Sequence, residues 1–188
     1  GVPGPCASLD ALPAWTRPAF PPGTESLNAM QTAVLPAAFG GDGGLVVCAP
    51  TGAGKTTVAL LALLRHVGLQ RGLISGGMAV PPGAKAVYIA PMRALVSEVA
   101  GNMRARLGPL GISVAELTGD SPADAETLRG AGLVVATPEK WDVVTRKAPA
   151  ETRGAAALSC VCLLIVDEVH LLGDSSRGPV LEAAVVRA

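Results

Sequence analysis

An apolar run, Leu45-Val46-Val47-Cys48, leads into Ala49-Pro50-Thr51-Gly52-Ala53-Gly54-Lys55-Thr56, and a helical pattern from Val58 to Leu64 leads out. Strand, glycine-rich bend and helix, in that order, form the context in which a phosphate-binding loop is credible. Gly52 and Gly54 allow the backbone to turn inward, so that successive N–H groups face one point. A helix starting near Lys55 adds roughly half a positive elementary charge at its N-terminus. Lys55 would reach the β- and γ-phosphates of a nucleoside triphosphate, and the Thr56 hydroxyl would ligate Mg²⁺. The expected nucleotide contacts are therefore Ala49, Pro50, Thr51, Gly52, Ala53, Gly54, Lys55, Thr56 and Thr57. The general pattern begins with Gly, where this chain has Ala49. A glycine-rich turn that only caps a helix is the competing explanation.

At 188 residues, 49% of them hydrophobic and 16% charged, the chain fits one globular domain and is neither disordered nor fibrous. Aromatics make up only 3%, so the core must be built from Val, Leu, Ile and Ala. Fifteen basic and fifteen acidic residues cancel, so any contact with a polyanion has to come from local groups. The four cysteines, Cys6, Cys48, Cys160 and Cys162, show neither a CxxC pair nor zinc spacing. They read as buried, reduced thiols of an intracellular protein, with Cys160 and Cys162 on one face of a strand. No run of about eighteen apolar residues is present, which argues against a membrane partner. Residues 1–23 are rich in Pro and Gly without the order of a signal peptide, and read as a linker or truncated edge. Residues 24–188 then form the domain.

Helical spacing marks 27–39, with Pro36 expected to kink or end it. Residues 68–83 read as a surface loop. Strands are expected at 86–90, 112–117, 133–136 and 161–166, the last of them buried, and helices at 93–107 and after Thr137-Pro138. Residues 146–157 read as a loop. Strands apolar on both faces alternating with helices imply an α/β fold: a parallel sheet with helices on both faces. The polar loops all follow the C-terminal ends of strands, the rim where ligands bind in such sheets. One of them, Asp167-Glu168, follows four apolar residues. Asp167 is placed to hold the Mg²⁺ through water, and Glu168 to orient and deprotonate an attacking water. A solvated pair of acids is the plain alternative.

His170 completes Asp167-Glu168-Val169-His170, and with Ala-x-x-Gly-x-Gly-Lys-Thr upstream the chain resembles a DExH-box helicase of superfamily two. The resemblance implies a RecA-like P-loop NTPase domain, and in that family Ala is common at the position of Ala49. It adds His170 to the catalytic set of Lys55, Asp167 and Glu168. Leu27-Asn28-Ala29-Met30-Gln31 looks like the segment that places a Gln, here Gln31, on adenine. Ala90-Pro91-Met92-Arg93, Glu116-Leu117-Thr118-Gly119-Asp120 and Thr137-Pro138-Glu139-Lys140-Trp141-Asp142 resemble motifs that touch the nucleic-acid strand. Pro91, Arg93, Thr118, Gly119, Thr137 and Pro138 are the implied contacts, of a kind that reads sugar-phosphate rather than sequence. Trp141 reads as core.

The Thr-Pro-Glu-Lys-Trp-Asp wording narrows the likeness to the large tandem-cassette RNA helicases, from Leu27 to Ala188. That group implies ATP and Mg²⁺ as cofactors, and a single RNA strand across the motif rim. It also implies a second RecA-like lobe, spliceosomal partners and a nuclear location. Two alternatives stay open. One is a DNA helicase of the kind found in the activating signal cointegrator complex. The other is a nucleotide-binding scaffold cassette that does not hydrolyse, against which intact Lys55, Asp167 and Glu168 count. Gly173-Asp174-Ser175-Ser176 departs from the family by one extra residue and a missing His.

Overall fold

The computed structural model describes residues 6–118, 125–146, 160–175 and 177–186. Two compact units divide the chain, Gly1–Val80 and Pro81–Ala188, a division that falls inside the stretch expected as one domain.

The first unit is helical. Its start, expected as a linker or edge, is packed from Ala7 onward. Short 3₁₀ turns at Leu9–Ala11 and Ala14–Ala19 bury Leu9, Leu12, Ala19 and Phe20. Leu27 N donates to Ala7 O at 2.9 Å and Leu9 N to Glu25 O at 2.9 Å, tying this start to the residues before the first long helix. Helix α1 spans Ala29–Gly40 and continues through Pro36, the residue expected to kink or end it. Helix α2 spans Lys55–Gln70, one turn into the stretch expected as loop, and packs on α1. Its Leu60, Leu61, Leu63 and Leu64 are fully buried. Buried Arg65 donates to Phe39 O at 3.0 Å and pairs with Asp42, whose other oxygen accepts from Met78 N at 3.1 Å. That clasp holds the glycine-rich loops on either side of α2.

The run Leu45–Cys48 is a correction: it forms no strand, and Leu45 and Val46 are 40% and 78% exposed. A strand exists only where a neighbouring backbone completes its ladder. Among its described residues this unit offers helices, turns and one isolated bridge, Ser8 to Ser26, but no strand to pair with.

The second unit carries a four-stranded, all-parallel sheet in the order β2-β3-β1-β4. The strands are β1 (Lys85–Ile89), β2 (Val114–Leu117), β3 (Leu133–Ala136) and β4 (Val161–Val166). Central β1 and β3 are wholly buried, as strands covered on both faces must be. β4 stands at an edge and is only half-buried, a second correction to the sequence reading. Val87, Ile89, Val134 and Ala136 face a core completed by α4 (Ala125–Gly130), α5 (Pro138–Arg146) and α6 (Gly178–Val186). Trp141 of α5 is fully buried there, its indole N–H donating to Ala184 O at 3.2 Å, so it is core as expected. Helix α3 (Arg93–Leu107) lies against β2 and β3 and buries Val96, Ala100, Met103 and Leu107, which belong outside that cluster.

The thiols are the third correction. Cys6, Cys48 and Cys162 are exposed and Cys160 half-buried. Cys48 lies in the unpaired run, while Cys160 stands just before the edge strand and Cys162 within it, their sulfurs 3.7 Å apart. Among the described residues no helix is long and apolar enough to cross a membrane.

Candidate functional site

In the first unit the loop geometry follows from glycine. Gly52 and Gly54 hold φ of +81° and +89°, left-handed values that an L side chain adopts at a cost. Helix α2 then starts at Lys55 with no side-chain cap; Thr57 N donates to Gly54 O at 3.0 Å, and no side chain caps the N–H groups of Lys55 and Thr56. Lys55 Nζ lies over the loop, donating to Ala49 O at 2.7 Å and Pro50 O at 3.1 Å. Thr51 and Gly52 are exposed, and Ala53 to Thr57 half-buried.

Helix α1 braces this loop. Asn28 caps the helix: its Oδ1 accepts from Gln31 N at 2.9 Å, and Gln31 Oε1 accepts from Asn28 N at 3.0 Å. Each side-chain amide then turns one N–H of its NH₂ group to the loop. Asn28 Nδ2 donates to Ala53 O at 2.9 Å and Gln31 Nε2 to Gly54 O at 3.2 Å. Gln31, expected on the base, is thus also part of the loop's support. Asn28 had no assigned role, although Asn-x-x-Gln before a helix is a capping-box signature that reveals the first half of this arrangement.

In the second unit Asp167 stands just past β4, its N–H donating to Ile89 O at 2.9 Å. Its carboxylate is held twice, by the Tyr88 hydroxyl at 3.0 Å on Oδ2 and by Glu168 N at 2.9 Å on Oδ1. Glu168 is the only non-glycine residue with positive φ among the described residues, +52°. Strain of that kind persists where the surroundings enforce it and collects at functional sites. Glu168 Oε2 lies 3.2 Å from Nδ1 of exposed His170. Burial, and then the charge of Asp167, push the Tyr88 phenol well above its ordinary pKa, so it remains a donor. The sequence reading missed Tyr88. Its signal was a lone tyrosine in an apolar strand, since a buried phenol needs a partner.

The same rim gathers Pro91, Pro138 and Asp167, which line one hollow with Glu139 and Arg177. Arg93 is exposed at the start of α3 and Thr118 half-buried just past β2. Thr137 is 7% exposed, and its hydroxyl accepts from Lys140 N at 3.3 Å, so it serves as the cap of α5. Gly119 lies outside the described residues, as do Asp120 and most of the 146–157 stretch.

A parallel sheet whose polar loops collect at one rim, together with a glycine-rich loop opening a helix, defines a RecA-like P-loop NTPase domain. The chain belongs to the DEAD/DEAH box helicase family, which matches residues 28–188. It is 47% identical over 179 residues to pre-mRNA-splicing factor brr2 of Schizosaccharomyces pombe, covering 95% of this chain and 8% of that protein. It is also 47% identical over 181 residues to the U5 small nuclear ribonucleoprotein 200 kDa helicase of Caenorhabditis elegans, covering 96% and 8%. An activating signal cointegrator 1 complex subunit 3-like protein of Dictyostelium discoideum is 44% identical over 181 residues, again 96% and 8%. The chain thus spans under a tenth of the length of these relatives. Among solved structures, the RNA helicase Prp28 of Chaetomium thermophilum bound to ADP superposes with a TM-score of 0.65 at 27% identity, covering 92% of this chain and 40% of that one.

Proposed function

We propose that this chain is the first RecA-like lobe of an RNA helicase that binds and hydrolyses ATP·Mg to unwind RNA duplexes during pre-mRNA splicing in the nucleus. The observation that carries the reading is identity of 47% sustained over 95% of the chain with a splicing factor. The local geometry supports it. An added Cβ at Gly52 would meet nothing within 4 Å, so the loop tip is open on that side. By residue type, the Thr56 hydroxyl of the first unit and the Asp167 carboxylate of the second are each a hard oxygen donor of the kind Mg²⁺ takes. Held by such donors, the ion would supply charge stabilisation to the transferring phosphoryl group.

Lys55 and the loop Ala49 to Thr57 hold the phosphates, through the loop's free N–H groups, and Gln31 the base. Glu168 orients the attacking water and takes its proton, and His170 lies beside Glu168 to steady it. Pro91, Arg93, Thr118, Gly119, Thr137 and Pro138 are the contacts we assign to the sugar-phosphate of one RNA strand, Thr137 through the helix start it caps. A second RecA-like lobe supplies the arginine finger, a group worth about 10³–10⁵ in rate, and spliceosomal proteins are the expected assembly partners.

In the full-length protein, Lys55→Ala should abolish ATP turnover, whereas Glu168→Gln should leave ATP bound and uncleaved. Cleavage at the normal rate by Glu168→Gln would remove Glu168 from its role. The chain is also 44% identical to the activating signal cointegrator 1 complex subunit 3-like protein, and the resemblance drawn from the sequence gives that group's reading as the second one, a helicase that acts on DNA. Unwinding of matched RNA and DNA duplexes separates the two, and preference for DNA overturns the splicing reading.

A further inference from the structure

We infer that Tyr88 is a positioning residue for magnesium-dependent nucleotide binding, acting by fixing the Asp167 carboxylate. The inference rests on the reading above that Asp167 serves the ion. Tyr88 is paired in register with Ile165, so Asp167, two residues further along the chain of β4, lies on the same face of the sheet as the tyrosine ring. Parallel pairing therefore aims the phenol at the end of the neighbouring strand.

The ring is 4% exposed, and it is the only tyrosine in the chain. A phenylalanine would fill the same space. What the hydroxyl adds is one hydrogen bond, 3.0 Å long, to Asp167 Oδ2. The other oxygen is already held by Glu168 N at 2.9 Å. An ionised carboxylate offers about four lone-pair sites. With one on each oxygen occupied from within the protein, the plane of the group is set. The remaining sites are left for water or metal at the rim. That N–H belongs to the peptide joining Asp167 to Glu168, so this half of the clamp is built into the turn itself. Two independent elements, β1 and the turn after β4, thus converge on one carboxylate. A side chain that only filled the core would need neither.

Groups that orient a metal ligand typically account for 10–100-fold in metal affinity. The test is binding of ADP to the full-length protein, measured by calorimetry with excess Mg²⁺ and again with a chelator, in wild type, Tyr88→Phe, Asp167→Asn and the double variant. Tyr88→Phe should bind ADP without magnesium within about twofold of wild type, yet lose about 10–100-fold of the gain that magnesium brings. In the Asp167→Asn background the same change should have no further effect.

Equal loss with and without magnesium would overturn the inference. So would a Tyr88→Phe protein that binds no ADP at all, since Tyr88 would then be a packing residue. A penalty that persists after Asp167→Asn would do so as well. If Asp167→Asn itself leaves the magnesium gain unchanged, the ion-holding role of Asp167 fails and the inference falls with it. That outcome is distinct from failure of Tyr88→Phe alone.

Discussion

Replacing Gly54 by Ala measures how firmly helix α1 is tied to the phosphate loop. The new Cβ would lie 2.3 Å from Gln31 Nε2 and 3.3 Å from Asn28 Nδ2, at a backbone φ of +89°. Gly52 has a similar φ, +81°, but nothing within 4 Å, so Gly52→Ala isolates the backbone term, about 1–2 kcal/mol. At Gly54 the Gln31 amide must also swing away. It then gives up its bonds to Gly54 O at 3.2 Å and Asn28 N at 3.0 Å. Each is worth about 0.5–1.5 kcal/mol, so Gly54→Ala should cost about 2–5 kcal/mol in all. The chain has two tryptophans, Trp15 in the first unit and Trp141 in the second. In a Trp141→Phe background, Trp15 fluorescence during urea unfolding reports the first unit alone. Adding Gln31→Ala removes the obstacle, and the Gly54→Ala penalty should fall to that of Gly52→Ala within about 0.5 kcal/mol. Equal penalties at both glycines, or no coupling to Gln31, would falsify the bracing of the loop by α1.

The Arg65 guanidinium beside Asp42 holds its carboxyl below the usual carboxylate value. A depressed folded value stabilises above the ordinary pKa of about 3.9 and loses that contribution as pH falls through the depressed one. Asp42→Asn should therefore weaken the first unit at pH 7, with the gap to wild type closing in acid below about pH 4. Urea unfolding that shows the same gap at pH 7 and pH 3 would refute this. Trp141→Ala should destabilise the second unit by about 3–5 kcal/mol, read from its unfolding midpoint, because the indole is fully buried. Lys85→Met should cost about 1–3 kcal/mol. It removes the donor to Arg129 O at 2.9 Å and Ala131 O at 2.7 Å, and faster hydrogen exchange in α4 would show the loosened end.

The four strands of the second unit and helices α3 and α5 were legible because each is a short apolar strand or a helix with its own start signal, whereas α4 and α6 were not read from the sequence. Arg93–Leu107 and Leu133–Ala136 fall where periodicity puts them. Leu45–Cys48 was not, because its composition suits a strand but nothing in its own unit pairs with it. The cysteines misled for a related reason: an apolar run suggests burial, yet an edge strand and an unpaired run leave thiols exposed. Residues 1–23 looked like a linker because they are rich in proline and glycine, while a few spaced apolar side chains, Leu9, Leu12, Ala19 and Phe20, were enough to pack the described part of them.

Sequence alone determined the chemistry on offer: a glycine-rich bend with Lys55 and Thr56, an acidic doublet at a strand end, and the motif loops at the strand ends. These are local properties, set by residue type and spacing. Only the tertiary structure decided which groups support them. Asn28 and Gln31 reach Ala53 and Gly54 across more than twenty residues of chain, and Tyr88 reaches Asp167 across seventy-nine. Such contacts depend on how helices pack and how strands register, and that information lies in no single stretch of the chain.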